Sequence, residues 1–142
     1  AMRVNIGQRI PVLRVMTNSD NYYVDRQRKI MPVRATTAAY VPIATGRISN
    51  RMATEELFDF VSWLNNNDFW NAQIEQINVT PTMEVELIPR VGTGKILLGK
   101  LDEQYPKRLN KLHELYTKNF QDTGWKNYKE IDLRFKGQVV CR

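Results

Sequence analysis

Residue types that build disulfides, metal sites and nucleophilic centres are scarce in this sequence. Among 142 residues there is one cysteine, Cys141, and one histidine, His113. A single thiol excludes a disulfide within the chain, and one Cys with one His cannot make a cysteine-rich zinc site. A serine or cysteine nucleophile normally needs a histidine base, and His113 lies in the middle of a predicted helix. We therefore expect no metal, no cofactor and no enzymatic activity.

Long hydrophobic segments are also missing. No stretch approaches the roughly 20 apolar residues that a membrane-spanning helix needs, and the N-terminus has no secretory pattern. The chain opens abruptly on a predicted strand over residues 10–15, so we expect it to be a fragment of a longer protein. The missing apolar segment therefore says nothing about an anchor upstream.

Positive charge is in excess, with a net charge of +6 and a pI of about 9.6. The excess is compatible with nucleic acid, an anionic membrane surface or an acidic partner, although it more often reflects solvated side chains. Glu103 and Glu114 interrupt the basic side of a predicted helix, and no nucleic-acid-reading motif occurs. That basic side consists of Lys107, Arg108, Lys111 and Lys118. A basic nucleic-acid-binding module stays open as the alternative function.

Apolar alternation and turn residues predict a sheet made of short strands. The predicted strands cover residues 10–15, 22–25, 30–33, 95–98, 131–135 and 138–141, with a further two-stranded hairpin over 74–88. Pro81 and Thr82 form the turn of that hairpin, and Lys136 and Gly137 form a tight turn in the last one. Residues 34–50 are expected to be irregular.

Two helices are predicted from apolar residues at helical spacing. The first begins with Thr54 as its N-cap and ends at residues 65–67, and its buried face is Leu57, Phe60, Val61 and Leu64. The second covers residues 105–121, with Pro106 in its first turn and Gly124 just past its end. The sum is a single α+β domain over residues 1–142, an antiparallel or mixed sheet with two main helices and an exposed last strand.

Two patterns suggest chemistry and fail closer tests. The run from Gly92 to Lys95 resembles a phosphate-binding loop, but Pro89 and Ile96 stand where that loop needs Gly and Ser or Thr. Glu84 and Glu86 lie about 7 Å apart on one strand face, within reach of a glycosidase pair. Alternating glutamates are more typical of the solvated face of a half-buried sheet, so we interpret them that way.

Three segments, in order along the chain, resemble the extracytoplasmic β-domain of the cell-division protein family FtsQ (DivIB in other bacteria). Ile10-Pro-Val-Leu-Arg-Val with Asn21-Tyr-Tyr-Val-Asp resembles the family's opening strand and hairpin, although the hairpin glycine is replaced by a charged run ending in Lys29. Ile96-Leu-Leu-Gly-Lys resembles its "L-x-L-G" strand. Tyr128-Lys-Glu-Ile-Asp-Leu-Arg-Phe resembles its terminal hairpin, the most specific of the three.

The resemblance implies a non-catalytic scaffold of the division machinery. The full-length protein would have an N-terminal inner-membrane helix and a POTRA domain, with residues 1–16 including the junction. This domain would lie on the periplasmic side at the division septum. Its partners would be FtsB and FtsL, without nucleic acid or a small-molecule substrate.

The family binds FtsB by adding a partner strand to its terminal strand. Carried over to this sequence, the binding residues are Arg134, Phe135, Gly137, Gln138, Val139, Val140 and Cys141. Arg134 would pair with a partner carboxylate and Phe135 would hold an apolar anchor. The alternation with Ile131 and Leu133 slightly favours a core position for Phe135 instead. In two places the sequence departs from the family: residues 80–82 lack its second partner-binding arginine, and Arg142 replaces a terminal aromatic.

Overall fold

A computed structural model describes residues 10–33, 40–90, 94–119 and 128–142. In these residues nine strands form one sheet, in the order β3-β2-β1-β4-β5-β6-β7-β8-β9. The strands are β1 Pro11–Met16, β2 Asn21–Asp25, β3 Ile30–Pro32, β4 Ile43–Gly46, β5 Ile74–Val79, β6 Val85–Pro89, β7 Lys95–Gly99, β8 Glu130–Asp132 and β9 Val140–Cys141. The helices are α1 Asn50–Thr54, α2 Glu56–Asn65, α3 Asp68–Gln73 and α4 Tyr105–Asn119.

The sheet is mixed, which confirms the α+β class. Five neighbouring pairs are antiparallel, namely β1–β2, β2–β3, β5–β6, β6–β7 and β8–β9. The pairs β1–β4, β4–β5 and β7–β8 are parallel. A parallel pair needs a crossover connection, because the chain must return to the same end of the sheet. Helices α1–α3 provide it between β4 and β5, and α4 provides it between β7 and β8.

The hydrophobic core joins alternate residues of the strands to the apolar sides of the helices. The predicted face of α2 is buried, namely Leu57, Phe60, Val61 and Leu64. Helix α4 contributes Leu109 and Leu112 to the same cluster. Strand residues out of phase with this core carry polar groups that bond across the strands: Thr45 donates to Asn78, and Asn78 donates to Glu86.

The segment around the first helix differs from the prediction. Residues 34–50 were expected to be irregular, yet they contain β4, whose pairing on both sides overrides its weak strand signal. Thr54 is wrong as the N-cap, since it ends α1 and its hydroxyl donates to the Asn50 carbonyl. Ser49 caps α1 by accepting from the Met52 N–H at 3.1 Å. Asn67, expected to end a helix, caps the additional helix α3.

The turns also differ in detail. Met83 was grouped with the apolar strand residues, but it lies in a turn with φ of 66° and is exposed. The last hairpin has a longer connection than expected, because β8 ends at Asp132 and β9 begins at Val140. The predicted positions of Gly92 and Gly124 lie outside the described residues.

Candidate protein-binding edge

The last strand, β9, lies at one edge of the sheet that the described residues form. Arg142 exchanges backbone hydrogen bonds with Glu130, at 2.9 and 3.2 Å, and Cys141 is paired opposite Ile131. Bonded and non-bonded pairs alternate in an antiparallel ladder, so the backbone N–H and C=O of Cys141 point away from β8. This edge therefore offers a donor and an acceptor to a further strand.

A buried carboxylate anchors the hairpin. Asp132 has no exposed surface, and its Oδ1 accepts from the Nε and the backbone N–H of Arg134, at 2.9 and 3.0 Å. Its Oδ2 accepts from Nη2 of Arg134 at 2.8 Å and from Nη1 of Arg142 at 3.3 Å. The hydrogen bond from the Arg134 side chain is the main reason that the pKa of Asp132 falls to about 2. Asp132 is therefore ionised in the folded protein and fixes both arginines.

Arg134 keeps donors for a further carboxylate. Its side chain is 41% exposed, and Nε and Nη2 are directed to Asp132. Nη1 lies 3.9 Å from Oε1 of Glu84, which is beyond hydrogen-bond distance. An incoming carboxylate at Nη1 would thus compete with Glu84 and leave the bond to Asp132 in place.

Phe135 is not a core residue, contrary to the slight preference drawn from alternation. Its side chain is 47% exposed, whereas Ile131 and Leu133 are buried. The alternation stops because β8 ends at Asp132, whose carboxylate bonds the Arg134 N–H and turns the chain. The structure therefore presents an exposed aromatic ring immediately after the arginine.

The other predicted site residues form the connection and the edge itself. Gly137 adopts φ of 70°, a conformation that favours glycine, and its carbonyl accepts from the Lys111 ammonium. The Gln138 N–H donates to the Phe135 carbonyl at 3.1 Å. Val139 lines a cavity of about 290 Å³ beside α4, together with Lys111 and Leu115. The connection is thus held to α4 next to the open edge.

Cys141 is a packing residue rather than a reactive thiol. Its side chain is partly buried against the core cluster, and this burial raises the pKa of the thiol. A raised pKa lowers the fraction of thiolate, which is the nucleophilic form.

The other candidate centres take part in structural contacts. Glu86 pairs with Lys95 at 3.5 Å and Glu84 faces Arg134, so each glutamate faces a cation of the same chain. Arg108, from the predicted basic face, donates to the carbonyls of Leu98 and Lys100. Within the described ranges, no group of three or more His, Cys, Asp or Glu side chains could hold a metal ion. Nor does any helix there have the length and apolar character to cross a membrane.

Sequence reasoning missed Asp132 and Arg142 as parts of this site. Asp132 and Arg134 fall in one predicted strand and are separated by a single position, which predicts that they share a face and can pair. That signal was present in the sequence. The partnership of Arg134 with Glu84 could not be found in this way, because it depends on how the β5–β6 turn sits relative to β8.

Comparison with known proteins agrees with the fold. The family model described as "FtsQ/DivIB, C-terminal related" matches residues 10–142. No curated protein matches the chain by sequence. The major extracytoplasmic domain of the cell-division protein DivIB from Geobacillus stearothermophilus, as its trans isomer, is similar in structure with a TM-score of 0.53 at 10% identity. The match covers 82% of this chain and 98% of that one, and at this identity it supports the fold alone.

Proposed function

The chain belongs to the FtsQ/DivIB, C-terminal related family, and we propose that it is a non-catalytic scaffold domain that binds FtsB and FtsL by adding a strand to β9. The family is one of cell-division proteins, so the chain is a cell-division domain. The domain would span residues 1–142 on the periplasmic side of the inner membrane at the septum. An N-terminal helix outside this chain would anchor it.

The observation that carries the proposal is the outer side of β9, which pairs with no other strand of the described residues. The outward N–H and C=O of Cys141 supply the backbone pairing that strand addition requires. Backbone pairing gives affinity without sequence information, so side chains on either side of the strand must select the partner.

Two side chains beside β9 are suited to this selection. Arg134 holds its guanidinium in one orientation through Asp132 and directs Nη1 outward, toward Glu84. Phe135 presents an exposed ring to a partner side chain. A partner strand with one carboxylate and one apolar anchor would match both. Residues 80–82 supply no second arginine, so a single salt bridge is expected.

Calorimetry with the extracytoplasmic FtsB–FtsL pair tests the edge directly. Cys141→Pro removes the outward N–H and leaves the bonds to β8, because Cys141 is a non-bonded pair with Ile131. Cys141→Ala is the matched control, since it removes the thiol and keeps the N–H. We expect Cys141→Pro to weaken binding by about tenfold or more and Cys141→Ala to change it little.

Circular dichroism would show that both variants are folded. Equal binding by the two variants would place the interface elsewhere. The nucleic-acid alternative would be favoured if binding weakened steeply with rising salt, did not change with either substitution and was competed by DNA.

A further inference from the structure

A concave surface lies on the half of the sheet that is away from β9. The cavity measures about 500 Å³, within the roughly 300–1,000 Å³ range of ligand pockets. It lies where β1, β4 and β5 begin, next to the ends of α2 and β6. We call it the arginine groove and define it by Ile10, Arg14, Arg26, Tyr40, Glu75 and Arg90.

The charge of the arginine groove is unbalanced. Arg14, Arg26 and Arg90 line it, and Glu75 is the one acidic residue among the described residues of its lining. Arg14 donates to the neutral amide oxygen of Asn21 at 3.1 Å, and the guanidinium of Arg90 lies over the ring of Tyr40 at 5.9 Å. None of the three arginines forms a salt bridge with another residue in the described part of the chain.

This imbalance is particular to the groove. The described residues include nine arginines. Five of them, Arg28, Arg51, Arg108, Arg134 and Arg142, pair with carboxylates of the same chain. Of the remaining four, three line the groove and the fourth is Arg47. Among the described residues, three of the four arginines without a carboxylate partner are therefore gathered at one concave site.

The groove also exposes large apolar groups. Tyr40 is 94% exposed and Ile10 is 45% exposed, and both are in the lining. Val12 and Pro42 contribute further apolar surface. Tyrosine and arginine are enriched at the centres of protein interfaces, where a ring supplies contact area and a guanidinium supplies directed donors.

We propose that the arginine groove is a second protein-binding site, which takes a short acidic peptide segment carrying an apolar anchor. Carboxylates would meet the three arginines, and the anchor would lie against Tyr40 and Ile10. A peptide fits better than a membrane surface because the site is concave and, among its described residues, combines three cations with Glu75. A bilayer would instead contact a flat or convex basic face.

The groove is separate from the β9 edge. Among the strands whose ends border the groove, β1 is six places from β9 and β6, which Arg90 follows, is three places from it, or roughly 14 to 29 Å at ~4.8 Å per strand. Both surfaces can therefore be occupied at once, and a substitution in one should not alter the other. This separation lets the two proposals fail independently.

Titration of the isotope-labelled protein with a short amidated peptide, in which glutamate alternates with leucine and phenylalanine, tests the proposal by NMR. A peptide with glutamine in place of glutamate is the control. We expect saturable shifts at Ile10, Arg26 and Tyr40 with the acidic peptide, and weaker ones with the glutamine peptide. Arg26→Glu and Arg90→Glu should each weaken binding about fivefold.

Arg47→Glu is the matched control variant, because Arg47 is exposed, has no carboxylate partner among the described residues and lies outside the groove. It should bind the acidic peptide like the unmodified chain, and all three variants should bind FtsB–FtsL normally. The proposal would be overturned if the protein bound both peptides with equal affinity, if all three variants lost affinity equally, or if the shifts centred on Cys141. It would also be overturned if the protein bound phosphatidylglycerol vesicles and not the peptide, a result that would identify a membrane surface.

Discussion

The two edges of the sheet both rest on a buried aspartate, but they are held in different ways. At the β3 edge, Asp25 accepts from the backbone N–H groups of Gln27 and Lys29, at 2.8 and 2.9 Å. At the β9 edge, Asp132 accepts mainly from the side chains of Arg134 and Arg142. Backbone bonds fix a turn, whereas guanidinium groups also present unused donors to a partner. The arginines bound to Asp132 thus suit the β9 edge to recognition of a partner.

The outward backbone groups show the same contrast. Asp25 donates its N–H to the Lys29 carbonyl, so the alternation of the β2–β3 ladder points Ile30 and Pro32 outward. Pro32 has no N–H and cannot extend the sheet. The corresponding outward residue of β9 is Cys141, which keeps its donor. Pro32 thus removes one donor from the outward side of β3, whereas Cys141 keeps its donor on the outward side of β9.

Removing the anchor of the β9 edge should have the largest effect. Asp132→Ala deletes the acceptor of the charged hydrogen bonds from Arg134 and Arg142 and should lower the free energy of unfolding by about 3 kcal/mol. Urea denaturation measures the change. Glu103→Ala, at an exposed carboxylate, serves as control and should have almost no effect. A loss below about 1 kcal/mol for Asp132→Ala would mean that the anchor is unimportant.

Acid should weaken the same edge. Because the Arg134 side chain holds the pKa of Asp132 at about 2, below its usual 3.8, the folded state binds this proton less readily than the unfolded state. The stabilisation is present above about pH 4 and is lost as the pH falls toward 2. Asp132→Asn should therefore approach the unmodified chain in stability as the pH falls through this range. Urea denaturation of both proteins at several pH values measures the change. If this assignment is wrong, the difference between their free energies of unfolding will not narrow as the pH falls.

The turn before the β3 edge offers a smaller effect with a built-in control. Arg28 adopts φ of 64° and forms a salt bridge with Asp59 at 2.5 Å. Arg28→Ala and Arg28→Gly remove the same contacts, but only glycine adopts this conformation without strain. We expect the glycine variant to be more stable than the alanine variant by about 1 kcal/mol in thermal denaturation. The reverse order would show that the turn relaxes.

Making the β3 edge more like the β9 edge, by restoring a backbone N–H, should change stability least. Pro32→Val restores an outward N–H on β3 and should alter the free energy of unfolding by no more than about 0.5 kcal/mol. Its expected consequence is concentration-dependent self-association, measured by sedimentation, through the restored N–H of residue 32. Met31→Val, at an inward-bonded position, should stay as monomeric as the unmodified chain. If both variants sedimented identically, Pro32 would not be what keeps the β3 edge from pairing.

Local signals predicted local structure well. The β2–β3 hairpin, the three antiparallel strands β5–β7, the buried face of α2 and the start of α4 at Tyr105 were all found from spacing and turn residues. Each depends on neighbours in sequence, and alternation or helical periodicity reports such neighbours directly. The resemblance to the FtsQ/DivIB family was confirmed by the match over residues 10–142.

Long-range pairing was missed. Strand β4 is four residues long and gains its order from β1 and β5 on either side, which no local pattern reports. Phe135 was slightly favoured as a core residue because alternation cannot reveal that Asp132 ends the strand. The arginine groove is assembled from distant parts of the chain, so its imbalance of charge becomes visible only in three dimensions.

The parallel pairing of β7 with β8 has a consequence for folding. All of α4 lies between the two strands, so this contact forms only after a long loop has closed. Contacts of large sequence separation form slowly, since the entropy of closing the loop is lost before the pairing compensates for it. Until β8 docks, β7 is the edge of the described sheet, and the β8–β9 hairpin is not yet part of it. The proposed partner-binding edge therefore joins the sheet only in molecules that have completed this step.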